Sequence, residues 1–320
     1  MIHCLAIPTP FMVGRVNCYL IEDDPLTLVD TGPNSGKALD ELERALAGHG
    51  RRIEDLERIV ITHQHLDHLG LLDILARRSG AEVCALDLLA PVIEDFAAHA
   101  ESDDEMASAL MLRHGIPPDV VTALRAVSKM ARGWGGAASV TRRLAAGERL
   151  EFAGRSFEAL HRPGHSPSDT VFWDPGNGTL LAGDHLIRHI SSNPLISKPL
   201  DGSGDGDRPH ALLTYMASLR ETREMPVERV LPGHGEAFAD HAELIDERFA
   251  MHERRARKIR GLLEKPLTAH EVAQSLWGNV AVTQAFLTLS EVLGHVDMLL
   301  ERGEVREHDD GGVTRFEAAA

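Results

Sequence analysis

Aromatic side chains, cysteine and long apolar runs are all scarce in this sequence of 320 residues. Aromatic residues make up 4% of it, so aliphatic side chains must fill the core that a hydrophobic content of 43% allows. The cysteines Cys4, Cys18 and Cys84 are odd in number and widely spaced, which argues against a disulfide framework or a zinc ribbon. We therefore expect reduced, mostly buried thiols.

Segments that would place the chain in or across a membrane are also lacking. No apolar run approaches the roughly 18 residues of a transmembrane helix. The N-terminus has no basic stretch followed by an apolar one, so it does not resemble a secretory signal. We expect a cytoplasmic protein with no membrane partner.

Basic residues are few relative to acidic ones. The sequence has 33 Lys and Arg against 49 Asp and Glu, a formal net charge of −16, which disfavours non-specific binding to nucleic acid. One basic run interrupts this pattern: Arg254, Arg255, Arg257, Lys258 and Arg260. It is either a solvated helix face or a site for the phosphates of a carrier such as coenzyme A.

Residues 61–70 contain an unusual concentration of side chains that can bind a metal ion. His63, His65, Asp67 and His68 follow an apolar run that ends at Ile61. Burying these groups without partners would cost several kcal/mol, and a divalent metal ion is the partner that fits imidazole and carboxylate ligands. His63 and His65 can face one ion, and Asp67 and His68 can reach a second. The alternative is a histidine-rich surface loop in a chain with 18 histidines.

Strand and helix signals alternate along the first 240 residues. Antiparallel strands at 3–7, 16–21 and 26–29 come before alternating helices and strands, which predicts a mixed α/β sandwich. Further polar groups follow apolar strands, each beside Gly or Pro that can present it at a sheet edge: Asp30, His165, Asp184 and His234. We therefore expect these groups to join the histidine loop.

Residues 101–134 predict a helical hairpin. The sequence Ser-Asp-Asp-Glu at 102–105 has the pattern of a capping box at a helix start, and Pro117-Pro118 begins a second helix. The hairpin is either packed against the sandwich or a lid over the active site. In the second case, its methionines and Trp134 would form an adaptable apolar wall.

The last part of the chain has a different character. A long charged helix from about residue 240 comes before helical segments at 268–277, 283–289 and 290–301 and a hairpin at 305–316, a pattern typical of a winged-helix module. The candidate recognition segment, 290–297, contains no Arg or Lys to contact DNA. We predict a catalytic domain at 1–245 with a helical insertion at 101–134. Residues 246–320 would form a linking helix and winged-helix domain that serves packing or homodimer formation, with no DNA partner.

Taken in order, these motifs closely resemble those of the metallo-β-lactamase superfamily. The match consists of a strand-end aspartate at Asp30, Thr-His-x-His-x-Asp-His at 62–68, Pro-Gly-His at 163–165, Gly-Asp at 183–184 and Gly-His at 233–234. The resemblance implies an αβ/βα sandwich of two mixed sheets flanked by helices, with a binuclear metal centre at the edge of the sheets.

The resemblance also implies a role for each matched residue. His63, His65 and His165 would hold one ion, Asp67, His68 and His234 would hold the other, and Asp184 would bridge the two. Asp30 would orient ligand groups through hydrogen bonds. The nearby histidines His161, His185 and His189 match no family ligand, and His185 remains a candidate substrate contact.

A binuclear centre of this kind implies a hydrolase. Two divalent ions, zinc or alternatively manganese or iron, can share a hydroxide that attacks a carbonyl or phosphorus centre. Asp67 and Asp184 would be the catalytic carboxylates, with Asp67 able to relay a proton.

Within the superfamily, the sequence resembles the lactamase-β-like branch with a C-terminal winged helix, which includes acyl thioesterases and an endoribonuclease. Asp184 stands where class B β-lactamases commonly have cysteine. We predict a small ester or thioester substrate. The alternatives are an endoribonuclease or phosphodiesterase, a lactonase, a mononuclear iron persulfide dioxygenase, and a non-catalytic metal-binding module.

Overall fold

Two β-sheets packed face to face form the centre of the computed structural model, which describes residues 1–202 and 208–319. The first sheet has six strands in sequence order: β1 Ile2–Ile7, β2 Val16–Ile21, β3 Thr27–Val29, β4 Arg58–Val60, β5 Glu82–Leu86 and β6 Arg142–Leu144. Strands β1 to β3 are antiparallel neighbours, and β3 to β6 are parallel. The sequence analysis did not predict β6.

The second sheet has five strands in the order β11-β10-β9-β8-β7. Their bounds are β7 Arg149–Glu151, β8 Ser156–His161, β9 Thr170–Asp174, β10 Thr179–Gly183 and β11 Arg229–Pro232. Strand β11 is parallel to β10, and the remaining neighbours are antiparallel.

Helices cover the outer face of each sheet. In the first part of the chain they are α1 Gly36–Gly48, α2 Leu66–Leu69, α3 Leu72–Ser79, α4 Ala90–Glu94, α5 Phe96–Arg113 and α6 Pro118–Ala131. In the second part they are α7 Ala211–Arg223, α8 His241–Leu262, α9 Ala269–Trp277, α10 Val280–Thr283 and α11 Ala285–Glu301. A hairpin of β12 Val305–Asp310 and β13 Val313–Ala318 follows.

Three hydrophobic clusters show how the layers are held together. Val29 and Val60 of the first sheet meet Phe157, Phe172 and Leu181 of the second in a core between the sheets. A second cluster packs α1 and α3 on the first sheet, and a third packs α7, α8 and α11 on the second. This arrangement confirms the predicted αβ/βα sandwich of two mixed sheets flanked by helices.

The sheets bring the polar strand ends together. Parallel strands β3 and β4 end at Val29 and Val60, immediately before Asp30 and the histidine loop. Parallel strands β10 and β11 end immediately before Asp184 and close before His234. Because parallel strands present their carboxyl ends at one edge, these groups share that edge.

The helical hairpin differs from the expectation at its start. Helix α5 begins at Phe96, so residues 102–105 lie inside it and the predicted capping box is wrong. Acidic residues of α5 instead join it to α6: Glu101 pairs with Arg125, and Asp104 accepts a hydrogen bond from Ser128. The predicted apolar wall is also partly wrong. Met111 is buried and lines a cavity, whereas Met130 is 80% exposed.

The C-terminal helices belong to the core of the second sheet. The segments predicted at 283–289 and 290–301 form one helix, α11, and residues 290–297 are almost entirely buried in it. Leu293 of this helix shares a cluster with Val171 and Leu180 of the second sheet. The predicted boundary at 245/246 lies inside α8, and the winged-helix assignment stays a prediction.

Two further expectations concern burial and membranes. Cys18 and Cys84 are buried as expected, whereas Cys4 is exposed, because it lies on the edge strand β1. In the described parts of the chain, every helix is too short or too polar to cross a membrane.

The contact between α11 and α7 leads to a stability prediction. A Cβ at Gly294 would lie 2.7 Å from Leu212 Cβ, so Gly294→Ala should lower the free energy of unfolding by about 1–3 kcal/mol through overpacking. Gly261→Ala in α8 is the control, because no described atom lies within 4 Å of its Cβ position. The control should be neutral or up to about 1 kcal/mol more stable. Urea unfolding measures both, and equal stability of the two variants would contradict this packing.

Candidate metal centre

All seven residues predicted as metal ligands converge at the shared edge of the sheets. They form two groups, and within each group the potential ligand atoms all lie within 4.8 Å of one another. The first consists of His63, His65, His165 and Asp184, and the second of Asp67, His68 and His234. The grouping corresponds to the two ion sites that the resemblance implies. The role of each residue as a ligand stays a prediction.

Three imidazole nitrogens meet in the first group. His65 Nδ1 lies 3.0 Å from His63 Nε2 and 2.9 Å from His165 Nε2. Nitrogen atoms that converge on one point in this way offer several lone pairs to one cation. This is the donor set that zinc prefers.

The carboxylate of Asp184 lies between the two groups. Its Oδ1 is 3.4 Å from His68 Nε2, and its Oδ2 is 3.4 Å from His234 Nε2 and 3.6 Å from His165 Nε2. The backbone of Gly233 approaches so closely that a Cβ there would lie 2.2 Å from Asp184 Oδ1. Glycine at 233 is therefore what leaves room for this carboxylate.

Buried polar atoms at the centre lack partners. His68 Nε2, His234 Nε2 and Asp184 Oδ1 are buried and make no hydrogen bond of good geometry to any residue of the described chain. Native proteins seldom leave such atoms unsatisfied without a role for them. Divalent metal ions fit these residues, because imidazole nitrogen and carboxylate oxygen are both ligands for such ions.

Asp30 fixes the orientation of the histidine loop. Its backbone has φ of 60°, in the left-handed region that Asp and Asn tolerate better than most residues. Its carboxylate accepts hydrogen bonds from Thr62 N at 2.9 Å, from Thr62 Oγ1 at 2.8 Å and from His68 Nδ1 at 2.8 Å. Because Nδ1 of His68 donates to Asp30, Nε2 is the nitrogen that would bind a metal ion once the ring has lost its second proton.

The other histidines are oriented in a similar way. His63 Nδ1 donates to Thr62 Oγ1 at 3.0 Å, and His234 Nδ1 donates to Arg15 O at 2.8 Å. Both rings therefore direct Nε2 toward the centre, which is the nitrogen that a metal ion would bind.

Strand β2 supports the loop that carries His234. This supporting role was not predicted from the sequence. Asn17 Nδ2 donates to Pro232 O at 2.9 Å and to Gly235 O at 2.8 Å, and Tyr19 OH donates to Pro232 O at 2.7 Å. The available signal was a polar Asn in a strand whose six residues are otherwise apolar or aromatic and are all buried.

Asp169 supports the loop that carries His165, and it was also missed. Its carboxylate accepts hydrogen bonds from Ser166 N and Ser166 Oγ, each at 2.8 Å. Burial raises the pKa of Asp169 to about 6 against the opposing charge of His165. The Ser-x-x-Asp spacing after Pro-Gly-His was the signal that could have identified this turn.

The electrostatics divide the histidines into two kinds. Burial, together with the neighbouring imidazoles, lowers the pKa of His63 well below its usual value and that of His65 to about 3. Burial also opposes charge on His68 and His234, but Asp184 outweighs it at both. At His68 the carboxylates of Asp30 and Asp67 add to the effect of Asp184, and the pKa of His68 lies well above its usual value. The pKa of His234 rises to about 9.

The carboxylates respond in the opposite sense. Burial favours the neutral acid at Asp67 and Asp184, but His68 and His234 outweigh it and lower the pKa of both groups. In the metal-free chain near neutral pH, the centre therefore holds two carboxylates paired with two protonated imidazoles.

The three histidines without a matching motif lie elsewhere. His185 is 1% exposed and its Nε2 lies 2.8 Å from Thr222 Oγ1, so the candidate substrate contact was wrong: the ring points into the core. His161 contacts Pro167 O at 2.9 Å. His189 is exposed and packs against Gly235.

Proton release on metal binding tests this charge distribution. Metal ions displace the protons of His68 and His234, whereas His63 and His65 carry none, so binding near neutral pH should release about two protons per chain. Release should fall as the pH rises through about 9, where His234 already loses its proton. Titration calorimetry in buffers of different ionisation enthalpy measures it. His234→Gln should release about one proton fewer, and no release from the unaltered chain would contradict the assignment.

The orienting role of Asp30 leads to another prediction. Asn at this position fits the left-handed backbone but presents an NH₂ group to His68 Nδ1, which must then become an acceptor. His68 Nε2 would carry the proton and lose its lone pair. Asp30→Asn should therefore weaken metal binding by about 10–100-fold while the fold is kept. Competition with a chelator measures the affinity, and unchanged affinity with an unchanged circular dichroism spectrum would refute the role.

Comparison with known proteins places this geometry in a family. The model of the metallo-beta-lactamase superfamily matches residues 12–234. The probable metallo-hydrolase YqjP of Bacillus subtilis (strain 168) is 33% identical over 313 residues, which cover 98% of this chain and 96% of that protein. The hydroxyacylglutathione hydrolase GloC of Haemophilus influenzae is 26% identical over 71% of this chain and 88% of its own length.

Solved structures agree. A metallo-beta-lactamase family protein of Thermus thermophilus has a TM-score of 0.81 and 27% identity, covering 99% of this chain and 98% of that chain. A beta-lactamase domain protein of Burkholderia ambifaria, at 24% identity and a TM-score of 0.82, covers 99% of this chain and 91% of its own and shows the same fold. The chain belongs to the metallo-beta-lactamase superfamily and is a metallo-hydrolase of that superfamily.

Proposed function

We propose that the chain hydrolyses an ester or thioester of a small apolar acyl group, with two divalent metal ions, zinc foremost, held at the candidate metal centre. The observation that carries this proposal is an apolar cavity of about 560 Å³ whose wall includes His65. A cavity of this size is typical of a small-molecule site, and contact with a metal ligand puts its occupant next to the reacting centre.

The walls of the cavity favour an acyl chain. Apolar side chains come from α5, α6, the segment before residue 197 and the start of α11: Phe96, Met111, Leu124, Ile196, Phe286 and Leu287. Burial of apolar chain is worth about 0.8 kcal/mol per methylene, so these walls select for a hydrophobic substrate. Residues of α5 and α6 line the cavity, which favours the lid alternative for the helical hairpin, although Trp134 is not among the lining residues in the described chain.

The residues of the centre would divide the chemistry as follows. His63, His65 and His165 would hold one ion, Asp67, His68 and His234 the other, and Asp184 would contact both. When bound, such ions lower the pKa of water and polarise a carbonyl group. Asp67 approaches His234 Nε2 through Oδ2, at 3.4 Å, so Oδ1 is the atom that would accept and pass on a proton.

The basic run on α8 offers the cavity no support. Arg255 lies 3.6 Å from Glu291 and 5.0 Å from the ring centre of Trp277, and Arg260 lies 3.3 Å from Glu304. No residue of the run is among those that line the cavity in the described chain. The run therefore favours neither the phosphates of a carrier nor an RNA backbone at this site. The name of the Haemophilus relative, a hydrolase of a hydroxyacyl compound, is consistent with an acyl substrate.

Metal content and hydrolysis of a substrate panel test the proposal. The zinc-loaded chain should hydrolyse p-nitrophenyl esters and acyl thioesters faster than lactones, bis-p-nitrophenyl phosphate or single-stranded RNA. His63→Ala and Asp184→Ala should abolish turnover and reduce bound metal, because each removes a group from the converging set. Asp73→Ala, at an exposed acid paired with Arg77, is the control and should keep both.

Each contrary result points to a different activity. Faster turnover of the phosphodiester or RNA than of the esters would mean that the substrate is a phosphate ester and not an acyl compound. One iron per chain with oxygen uptake would identify a dioxygenase. Full metal content without turnover on the whole panel would indicate a binding module.

A further inference from the structure

Gln64 is a polar side chain at the boundary between the metal centre and the apolar cavity. It lies between His63 and His65 in the sequence, and it lines the cavity together with His65 and Leu66. The centre has no use for it as a ligand, since a carboxamide is a poor competitor for imidazole and carboxylate at zinc. Its place on the wall therefore needs another explanation.

One hydrogen bond fixes the direction of this carboxamide. Ser168 Oγ donates to Gln64 Oε1 at 2.9 Å, and Ser168 is fully buried. With the oxygen held on that side, the NH₂ group faces away from Ser168. Among the residues that the structure describes, Gln64 Nε2 has no hydrogen-bond partner.

Ser168 is itself held in place by a chain of hydrogen bonds. Ser168 N donates to Ser166 Oγ at 3.3 Å, and Ser166 Oγ donates to Asp169 Oδ1 at 2.8 Å. The same turn carries His165, one of the converging imidazoles. The direction of the Gln64 amide is thus tied to the turn that presents a predicted ligand.

Three other polar side chains on the cavity wall have partners. Arg132 pairs with Glu101 and Asp104, Arg125 pairs with Glu101, and Gln284 Nε2 lies 3.4 Å from the sulfur of Met12. Gln64 differs from these because no described residue accepts a hydrogen bond from its amide nitrogen, and it lines the cavity next to His65 in the sequence.

We propose that the Gln64 carboxamide is a substrate-positioning donor, whose N–H binds the carbonyl oxygen of the acyl group at the mouth of the metal centre. The inference rests on the proposed function, which supplies the acyl substrate. A carbonyl that enters an apolar cavity loses its hydrogen bonds to water, and an oriented N–H restores one. Ser168 is a positioning residue that acts through Gln64.

Binding of a ketone and a matched alkane tests this without turnover. On the zinc-loaded full chain, 2-heptanone supplies the carbonyl acceptor and heptane supplies the chain alone. Gln64→Met, which keeps the length and removes the donor, should weaken 2-heptanone binding by about fivefold to tenfold and leave heptane binding unchanged. Gln274→Met on the exposed face of α9 is the control and should change neither affinity. Ser168→Ala should show a smaller loss that is likewise specific to the ketone.

The outcomes separate this inference from the proposed function. Equal ketone affinity of Gln64→Met and the unaltered chain overturns the role of Gln64, even if esters are hydrolysed. Failure of the unaltered chain to bind 2-heptanone overturns it as well. Ketone-specific loss without ester or thioester turnover would support Gln64 as a carbonyl donor and refute the proposed reaction. An equal loss of heptane and 2-heptanone binding would overturn the proposal, because it would show that Gln64 only packs against the alkyl chain.

Discussion

The carboxylate of Asp30 is the constraint on which the centre depends. It follows β3, and through Thr62 and His68 it binds both ends of the loop that follows β4. The Asp30 carboxylate therefore holds the ends of two parallel strands at a fixed spacing. It also places a proton on Nδ1 of His68. His63 is oriented through the same contact, because Thr62 Oγ1 links its ring to Asp30. The left-handed backbone at Asp30, with φ of 60°, is the local strain that this network offsets.

Charge balance explains how such a polar centre can be buried inside an acidic protein. The carboxylates of Asp67 and Asp184 would repel one another without compensation, and the imidazoles of His68 and His234 take up protons in response. Metal ions replace those protons with larger positive charge at the same place. Protons and metal ions therefore compete for the same ligand atoms, and the stability of this edge should depend on the metal concentration.

Site residues at the ends of strands could be predicted from the sequence because each one follows the apolar run that identifies its strand. His63, His65 and Asp184 follow apolar runs directly, and the parallel pairing of those strands does the rest. Asn17 could not be found in this way, since it acts on the backbone of a loop more than 200 residues away that only the fold brings near. Asp169 acts within its own turn, where the Ser-x-x-Asp spacing was a usable signal. The predicted start of α5 was wrong because the Ser-Asp-Asp-Glu pattern does not exclude a position inside a helix, where Asp104 accepts a hydrogen bond from Ser128 of α6. Similarly, burial of residues 290–297 joins two predicted segments into α11.

If the proposed function holds, substrate choice would depend in part on a segment outside the one that carries the metal centre. The seven converging residues all lie within the segment 12–234 that the superfamily model matches. Phe286 and Leu287 of the cavity wall lie beyond it, on a helix whose buried face shares the core of the second sheet. The C-terminal helices are thus both a support for the sandwich and one side of the cavity. Because a wall on α11 can change without moving Asp30 or Asp184, the substrate can differ between relatives while the centre stays the same.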